Sequence, residues 1–157
     1  MRIVFLDVDG VLNHQGCKEK LGGMYGVEDD LLDKLAKIIH STEAQLVLTS
    51  SWKSFWDNQP INSREIDPMA RYLIERLRSR GLHLIDRTEE RDPGLRGHGI
   101  KAWLRKVPGI TSWIVLDDDV FPDYKECGIT PRLVRTSFEH GLTDKHVDKA
   151  IKLLLGK

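Results

Sequence analysis

The chain has 157 residues, and its 24 basic and 24 acidic side chains balance to a formal net charge of +0. That length suits one ordinary domain, and a 40% hydrophobic content is enough to build a buried core. Balanced charge gives no global attraction for nucleic acid or an anionic membrane, so any basic site must be local. The two cysteines, Cys17 and Cys127, fit neither a metal spacing nor a disulfide framework, which points to a reduced, cytoplasmic setting. Met1 and Arg2 lead straight into a short apolar run, without the pattern of a secretory leader or a membrane span.

In chain order, residues 3–8 are apolar and β-branched and predict a buried strand. Residues 13–25 carry Gly16, Gly22 and Gly23 without a clean period and predict a loop or small flap. Leu31, Leu32, Leu35, Ile38 and Ile39 then recur at helical spacing, with Asp29 or Asp30 as the expected cap. Residues 45–49, "QLVLT", predict a second buried strand, and 52–67 an irregular stretch. The next helix has signals at both ends: Asp67 as cap, Pro68 at the first helical position and Gly81 past the end. Its expected core face is Met69, Leu73, Ile74 and Leu77. Residues 82–86 predict a third strand and 87–96 a polar loop. A short helix holds Ile100, Trp103 and Leu104. Residues 113–116 predict a fourth strand, which runs into Asp117, Asp118 and Asp119, and 132–136 a weaker fifth. The last helix starts at Thr143 and presents Val147, Ala150, Ile151 and Leu154 to the core.

Strands that alternate with helices predict an α/β fold: a three-layer, Rossmann-like parallel sheet of about five strands with helices on both faces. No internal repeat or linker interrupts the chain, so residues 1–157 are expected to form a single domain. Ligands of such sheets bind at the carboxyl ends of the strands. Asp7, Asp9, Thr49, Ser50, Asp117 and Asp118 all fall there.

Several carboxylates on one rim repel one another unless a cation lies between them. Without an accompanying Cys or His cluster, the chemistry favours a hard, oxygen-loving ion, most simply Mg²⁺, which typically binds one or two carboxylates together with a substrate phosphate. Asp7 and Asp118 are the first choices as ligands, with Asp117 next. Thr49 and Ser50 offer donors suited to phosphate oxygens. Gly10 lets the backbone turn closely after Asp9 and offers an N–H to the same anion. Arg96 and Lys101 are the candidate cations for the transferring group.

These residues match a family pattern. "FLDVDGVL" resembles the first signature of the haloacid dehalogenase (HAD) superfamily, an Asp-x-Asp pair after an apolar strand. "LVLTS" resembles the second, "RGHGIKAWL" the third and "WIVLDDD" the fourth, in the family's order across residues 3–119. The resemblance implies that Asp7 is the nucleophile and forms an aspartyl-phosphate. Asp9 would serve as general acid and then general base, with its backbone carbonyl on Mg²⁺. Thr49 would hold phosphate, Arg96 would neutralise phosphate and nucleophile, and Asp118 with Asp117 would complete the metal site. The acid at Asp9 marks phosphatases and phosphotransferases within this family. Two departures stand out: the third-motif cation is Arg where Lys is commoner, with Lys101 a rival, and three consecutive acids leave the metal ligand open by one position.

Caps choose the substrate in this superfamily. Residues 13–30 leave room only for a flap or short hairpin, and the stretch between the second and third motifs holds core elements with a modest loop. An open site of this kind resembles members that act on macromolecular ends or bulky phosphates. "TSSWK" with "DVDGVLN" resembles HAD domains of nucleic-acid repair proteins and of uncharacterised bacterial and phage proteins. The expected substrate is therefore a nucleotide or a nucleic-acid phosphate end, with a sugar-phosphate phosphatase and a non-catalytic phosphate-binding module as alternatives. Trp52, Phe55 and Trp56 either stack on a base or simply pack. Arg64, Arg71, Arg87 and Arg91 could follow a phosphate backbone, while the run Arg71, Arg76, Arg78 and Arg80 reads either as part of that track or as a solvated helix face. His14, just past the first motif, is the histidine best placed to touch substrate.

Overall fold

The computed structural model describes residues 1–89 and 94–157. Its elements in chain order are β1 (Arg2–Leu6), β2 (Lys20–Leu21), β3 (Met24–Tyr25), α1 (Asp29–Thr42), β4 (Gln45–Leu48), α2 (Pro68–Arg78), β5 (Leu84–Arg87), α3 (Gly97–Lys106), β6 (Ser112–Asp117), β7 (Leu133–Arg135) and α4 (Asp144–Leu155). A parallel sheet of five strands runs in the order β5-β4-β1-β6-β7.

The central strand explains the layering. Ile3, Val4, Phe5 and Leu6 are all fully buried, so both faces of β1 are covered. Side chains alternate between the faces with a period of two. Val4, Leu6, Leu46, Leu48, Ile114 and Leu116 meet α1, α2 and α4 on one side. Ile3, Phe5, Val47 and Val115 meet Ile100 and Trp103 of α3, together with Tyr124, Cys127 and Ile129, on the other. Phe5 packs edge-on against Trp103 with ring centres 5.5 Å apart. The chain is therefore an α/β, Rossmann-like fold with helices on both faces.

Local chemistry sets most helix ends. Asp67 Oδ1 accepts the Met69 amide at 2.8 Å, and Pro68 opens α2 as expected. Thr143 and His146 form a reciprocal capping box on α4. The expected cap of α1 is corrected: Glu28 holds the cap position without a side-chain bond, and Asp29 and Asp30 lie in the first turn. There Asp29 accepts from Arg76 at 2.7 Å and from Arg80 at 3.0 Å. The end of α2 also comes earlier than Gly81 predicts, with Ser79 as its cap, while Gly81 (φ +71°) turns the chain beyond it. Ala70, Leu73 and Leu77 form the buried face of α2, and Met69 and Ile74 only flank it. On α4, Val147, Ala150 and Leu154 are buried and Ile151 is at the margin.

The flap after the first motif is a small antiparallel hairpin, β2 with β3. Tyr72 of α2 fastens its base: the phenol donates to Glu19 at 2.8 Å and accepts from the Val27 amide at 2.9 Å. The stretch expected to be irregular begins with a 3₁₀ turn over Ser51–Phe55. Among the described residues no helix is long and apolar enough to cross a membrane.

Candidate active site

Register gathers the site. Leu6 of β1 pairs with Leu48 of β4 on one side and Leu116 of β6 on the other, so the residues that follow them, Asp7, Thr49 and Asp117, stand abreast at the carboxyl edge. The Asp7 amide donates to the Leu116 carbonyl at 3.0 Å and the Thr49 amide to the Leu6 carbonyl at 2.9 Å. The first strand ends at Leu6, two residues before the expected limit. Val8 is already in a turn, where its carbonyl accepts from Val11 and Leu12.

Asp7 is 3% exposed, and Asp117 is fully buried. One guanidinium nitrogen, Arg96 Nη1, lies 3.0 Å from Asp7 Oδ1 and 3.0 Å from Asp117 Oδ2. Of the two candidate cations, Arg96 is thus the one that contacts Asp7 and Asp117. Lys101 is further along α3, and its charge acts on the Cys127 thiol. Burial, and then the negative charge of Asp117, push the Asp7 carboxyl well above the usual range, with Arg96 opposing them. Burial and Asp117 likewise raise Asp118. Burial works against the Arg96 charge, but Asp7 and Asp117 outweigh it and hold the guanidinium more firmly protonated than usual.

Carboxylate oxygens of Asp7, Asp117 and Asp118 lie within 4.8 Å of one another. Three acids and one guanidinium leave a surplus of negative charge that a divalent cation would balance. The donor set is all oxygen, as a hard ion requires. The three acids differ in what they have left to give. Asp117 Oδ2 accepts from Arg96 and, at 2.8 Å, from the Tyr124 hydroxyl, while its Oδ1 accepts the Asp119 amide at 3.0 Å. Asp118 is half-buried and is the acid better able to reach a metal.

Asp9 is held by two neutral donors. Trp52 Nε1 donates to its Oδ2 at 3.2 Å and Asn13 Nδ2 to its Oδ1 at 2.9 Å. Trp52 is 1% exposed and Trp56 is 7% exposed, so neither offers a face to a base; Trp52 is a core residue whose indole N–H orients Asp9. Gly10 is also reassigned. Its N–H donates to Asn13 Oδ1 at 2.9 Å and so is not directed at an anion. Its backbone has φ +79°, and a Cβ there would collide with the Asp118 carboxylate. Gly10 is what lets Asp118 come in over the first motif.

Thr49 is fully buried, and its hydroxyl has no partner among the described residues. A hydroxyl buried without a partner is costly, so this one suits a bound ligand oxygen. Ser50 instead accepts the Trp52 amide at 3.2 Å and caps the 3₁₀ turn. His14 is occupied as well: its Nε2 is 2.8 Å from Glu28 Oε2 and its Nδ1 accepts the Gly16 amide, which ties the base of the flap.

The arginines divide in the same way. Arg71 binds the carbonyls of Ile61 and Ser63, and Arg76 of α2 with Arg80 just past its end reach Asp29 on α1, so these are structural. Arg64 is exposed, and Arg91 lies outside the described residues. Sequence reasoning passed over Tyr124 and Asn13. Asn13 had a signal, since it closes the first motif. Tyr124 had none, being an aromatic in a loop past the fourth strand that only tertiary packing brings to Asp117. Its buried hydroxyl, beside that acid, is pushed far above the ordinary phenol range.

Neither curated proteins nor solved structures gave a match to the chain. The family described as "HAD domain in Swiss Army Knife RNA repair proteins" matches residues 3–147, which takes in all four motifs and all five strands of the sheet. That match spans most of the chain, so the chain belongs to that family of HAD domains, within a superfamily of hydrolases.

Proposed function

We propose that the protein is a Mg²⁺-dependent phosphomonoesterase that works through a phospho-Asp7 intermediate on a nucleotide or a nucleic-acid phosphate end. The observation that carries this reading is the Asp7–Arg96 pair at 3.0 Å beside a fully buried Thr49 whose hydroxyl has no partner among the described residues. That arrangement provides a nucleophile, a countercharge for equatorial phosphate oxygens and a waiting hydrogen-bond donor on one strand edge.

Asp7 attacks phosphorus through a carboxylate oxygen, and the ester oxygen leaves with a proton from Asp9. Asp9 then takes a proton from water, which attacks the phospho-Asp7 phosphorus and releases phosphate and free Asp7. Trp52 and Asn13 hold Asp9 in place for both transfers. Arg96 offsets charge on Asp7 and on the transferring group. Thr49 donates to a phosphate oxygen, and Gly10 makes room for Asp118. Asp7 and Asp118, with the backbone carbonyl of Asp9, would hold Mg²⁺, which when bound neutralises the acid cluster and polarises the phosphoryl group.

The nucleic-acid preference draws on the family's description and on the small size of the flap, two residues in each strand. The test is phosphate release with Mg²⁺ from an aryl phosphate, mononucleotides, sugar phosphates and phosphorylated oligonucleotides, with Asp7→Asn alongside. Turnover by wild type and none by the variant is the expected result. Activity that survives Asp7→Asn overturns the mechanism, and a clear preference for sugar phosphates overturns the substrate class.

A further inference from the structure

The same guanidinium that meets Asp7 also forms the wall of a second space. A cavity of about 650 Å³ lies between the 3₁₀ turn, the end of β5 and the loop before α3, lined by Ser51, Lys53, Ser54, Arg87, Glu89, Gly94, Leu95, Arg96 and Phe121. Its volume falls among those of ligand sites, roughly 300–1,000 Å³. Arg96 is common to this cavity and to the nucleophile, so the two are contiguous.

The lining holds three cations, Lys53, Arg87 and Arg96, and one acid, Glu89, among the described residues, with Arg87 paired to Asp57 and Arg96 to Asp7 and Asp117. Two of these cations are fixed in position. Lys53 Nζ donates to the Thr49 carbonyl at 3.3 Å. Arg87 is braced by bonds from Nη1 to the Lys53 carbonyl at 3.2 Å and from Nη2 to Asp57 at 3.0 Å. A guanidinium has five N–H donors, and these contacts leave others for a ligand. The Phe121 ring lies on the lip, 4.5 Å from the Arg96 guanidinium carbon. Arg96 contacts Asp7 directly, whereas the contacts of Arg87 are to Asp57 and the Lys53 carbonyl. A second anionic group beyond the scissile phosphate would use both.

We infer that this cavity is a subsite for the phosphodiester next to the scissile phosphate, with Arg87 as its anion-binding residue, so that the enzyme selects a phosphorylated oligonucleotide end over a mononucleotide. This rests on the phosphatase reading above and adds the part of the substrate that is not transferred. Charge-assisted bonds from a braced guanidinium give discrimination of about tenfold or more.

The experiment compares kcat/KM of wild type for a mononucleotide and for 3′- and 5′-phosphorylated dinucleotides and hexanucleotides. Arg87→Gln removes the cation, Asp57→Asn loosens its brace while keeping the charge, and Ser54→Glu adds an acid at the lip. Circular dichroism melts check that each variant is folded. Wild type is expected to favour at least one phosphorylated oligonucleotide about tenfold or more over the mononucleotide. That ratio should collapse in Arg87→Gln and Ser54→Glu and largely persist in Asp57→Asn. Equal wild-type rates on both substrates, or variants that slow both substrates by one factor, overturn the subsite. A nucleoside bisphosphate that matches the oligonucleotides would assign the cavity to a terminal second phosphate and overturn the phosphodiester reading. If wild type turns over nothing, the phosphatase reading has failed separately. The subsite is then tested by equilibrium binding of the same oligonucleotides to Asp7→Asn, where tighter binding than the mononucleotide, lost with Arg87→Gln, sustains it and equal binding ends it.

Discussion

The Trp52 indole nitrogen donates to Asp9 Oδ2 at 3.2 Å, which links the apolar core to the acid of the first motif proposed to pass the proton to the leaving group. Trp52→Phe keeps most of the buried volume and removes this donor. We expect kcat to fall about tenfold, since a hydrogen bond to a charged group is worth roughly 1.5–3 kcal/mol and Asp9 retains Asn13. Stability should fall by only about 1 kcal/mol, a few degrees in Tm for a domain of this size. Steady-state kinetics with a thermal melt separate the two effects, and an unchanged kcat would remove Trp52 from the positioning of Asp9.

Thr49→Val should trade function for stability. The Thr49 hydroxyl is buried with no partner among the described residues, so an isosteric methyl relieves a polar group that folding leaves unsatisfied. Chemical denaturation should show a gain of about 1 kcal/mol. Phosphatase activity should drop about 10²-fold as one donor to the phosphate is lost. A variant that is less stable than wild type would mean that the hydroxyl is already satisfied in the folded protein.

Gly10→Ala probes the approach of Asp118. The added Cβ meets the Asp118 carboxylate, and φ of +79° is strained for alanine. The variant is expected to lose about 1–3 kcal/mol of stability. Mg²⁺ should raise the wild-type Tm and raise that of Gly10→Ala much less, because the displaced acid is the one proposed to reach the metal. Melts with and without Mg²⁺ measure both, and an equal Mg²⁺ shift in the two proteins would release Asp118 from that role.

His146 predicts a pH dependence away from the active site. Burial lowers its pKa, and the Lys149 charge adds to the effect while the Arg135 carbonyl opposes it. Its Nδ1 accepts the Thr143 amide at 3.0 Å, a bond that a proton on Nδ1 would break. The unfolded chain therefore takes up the proton first as pH falls below about 6.5, and stability declines with it until the folded ring titrates too. Above that range both states are neutral and the contribution is flat. In His146→Gln the decline in Tm just below pH 6.5 should be shallower than in wild type, and an identical pH profile would contradict this.

What the sequence made legible was local. Periodicity and end signals placed the five strands and four helices to within a few residues, and the four motifs named Asp7, Thr49, Arg96 and the acid cluster before any contact was known. The sequence left Arg96 and Lys101 as alternatives because both are cations near the start of one helix, and only distance separates them: Arg96 is the one 3.0 Å from Asp7. Trp52 was ambiguous because an indole has an apolar body and a polar edge, and either can lead. Burial is a property of the whole fold, and it turned Trp52 inward. Asp29 carried the composition of a cap, yet its carboxylate is engaged by Arg76 of α2 and by Arg80 just beyond that helix, a competition no local pattern encodes.

One contact at the other end of the site has a wider effect. Asp123 Oδ2 accepts the His98 amide at 2.8 Å, so the first turn of α3 is capped from a distant loop. The next residue of that loop, Tyr124, binds Asp117, and Arg96 sits at the start of the same helix and binds Asp117 as well. The path from Arg96 through α3, Asp123 and Tyr124 returns to Asp117 as a closed ring of contacts. Guanidinium and carboxylate therefore keep their spacing without help from a ligand, and the conformational entropy of aligning them is lost in folding and not at each turnover of the proposed reaction.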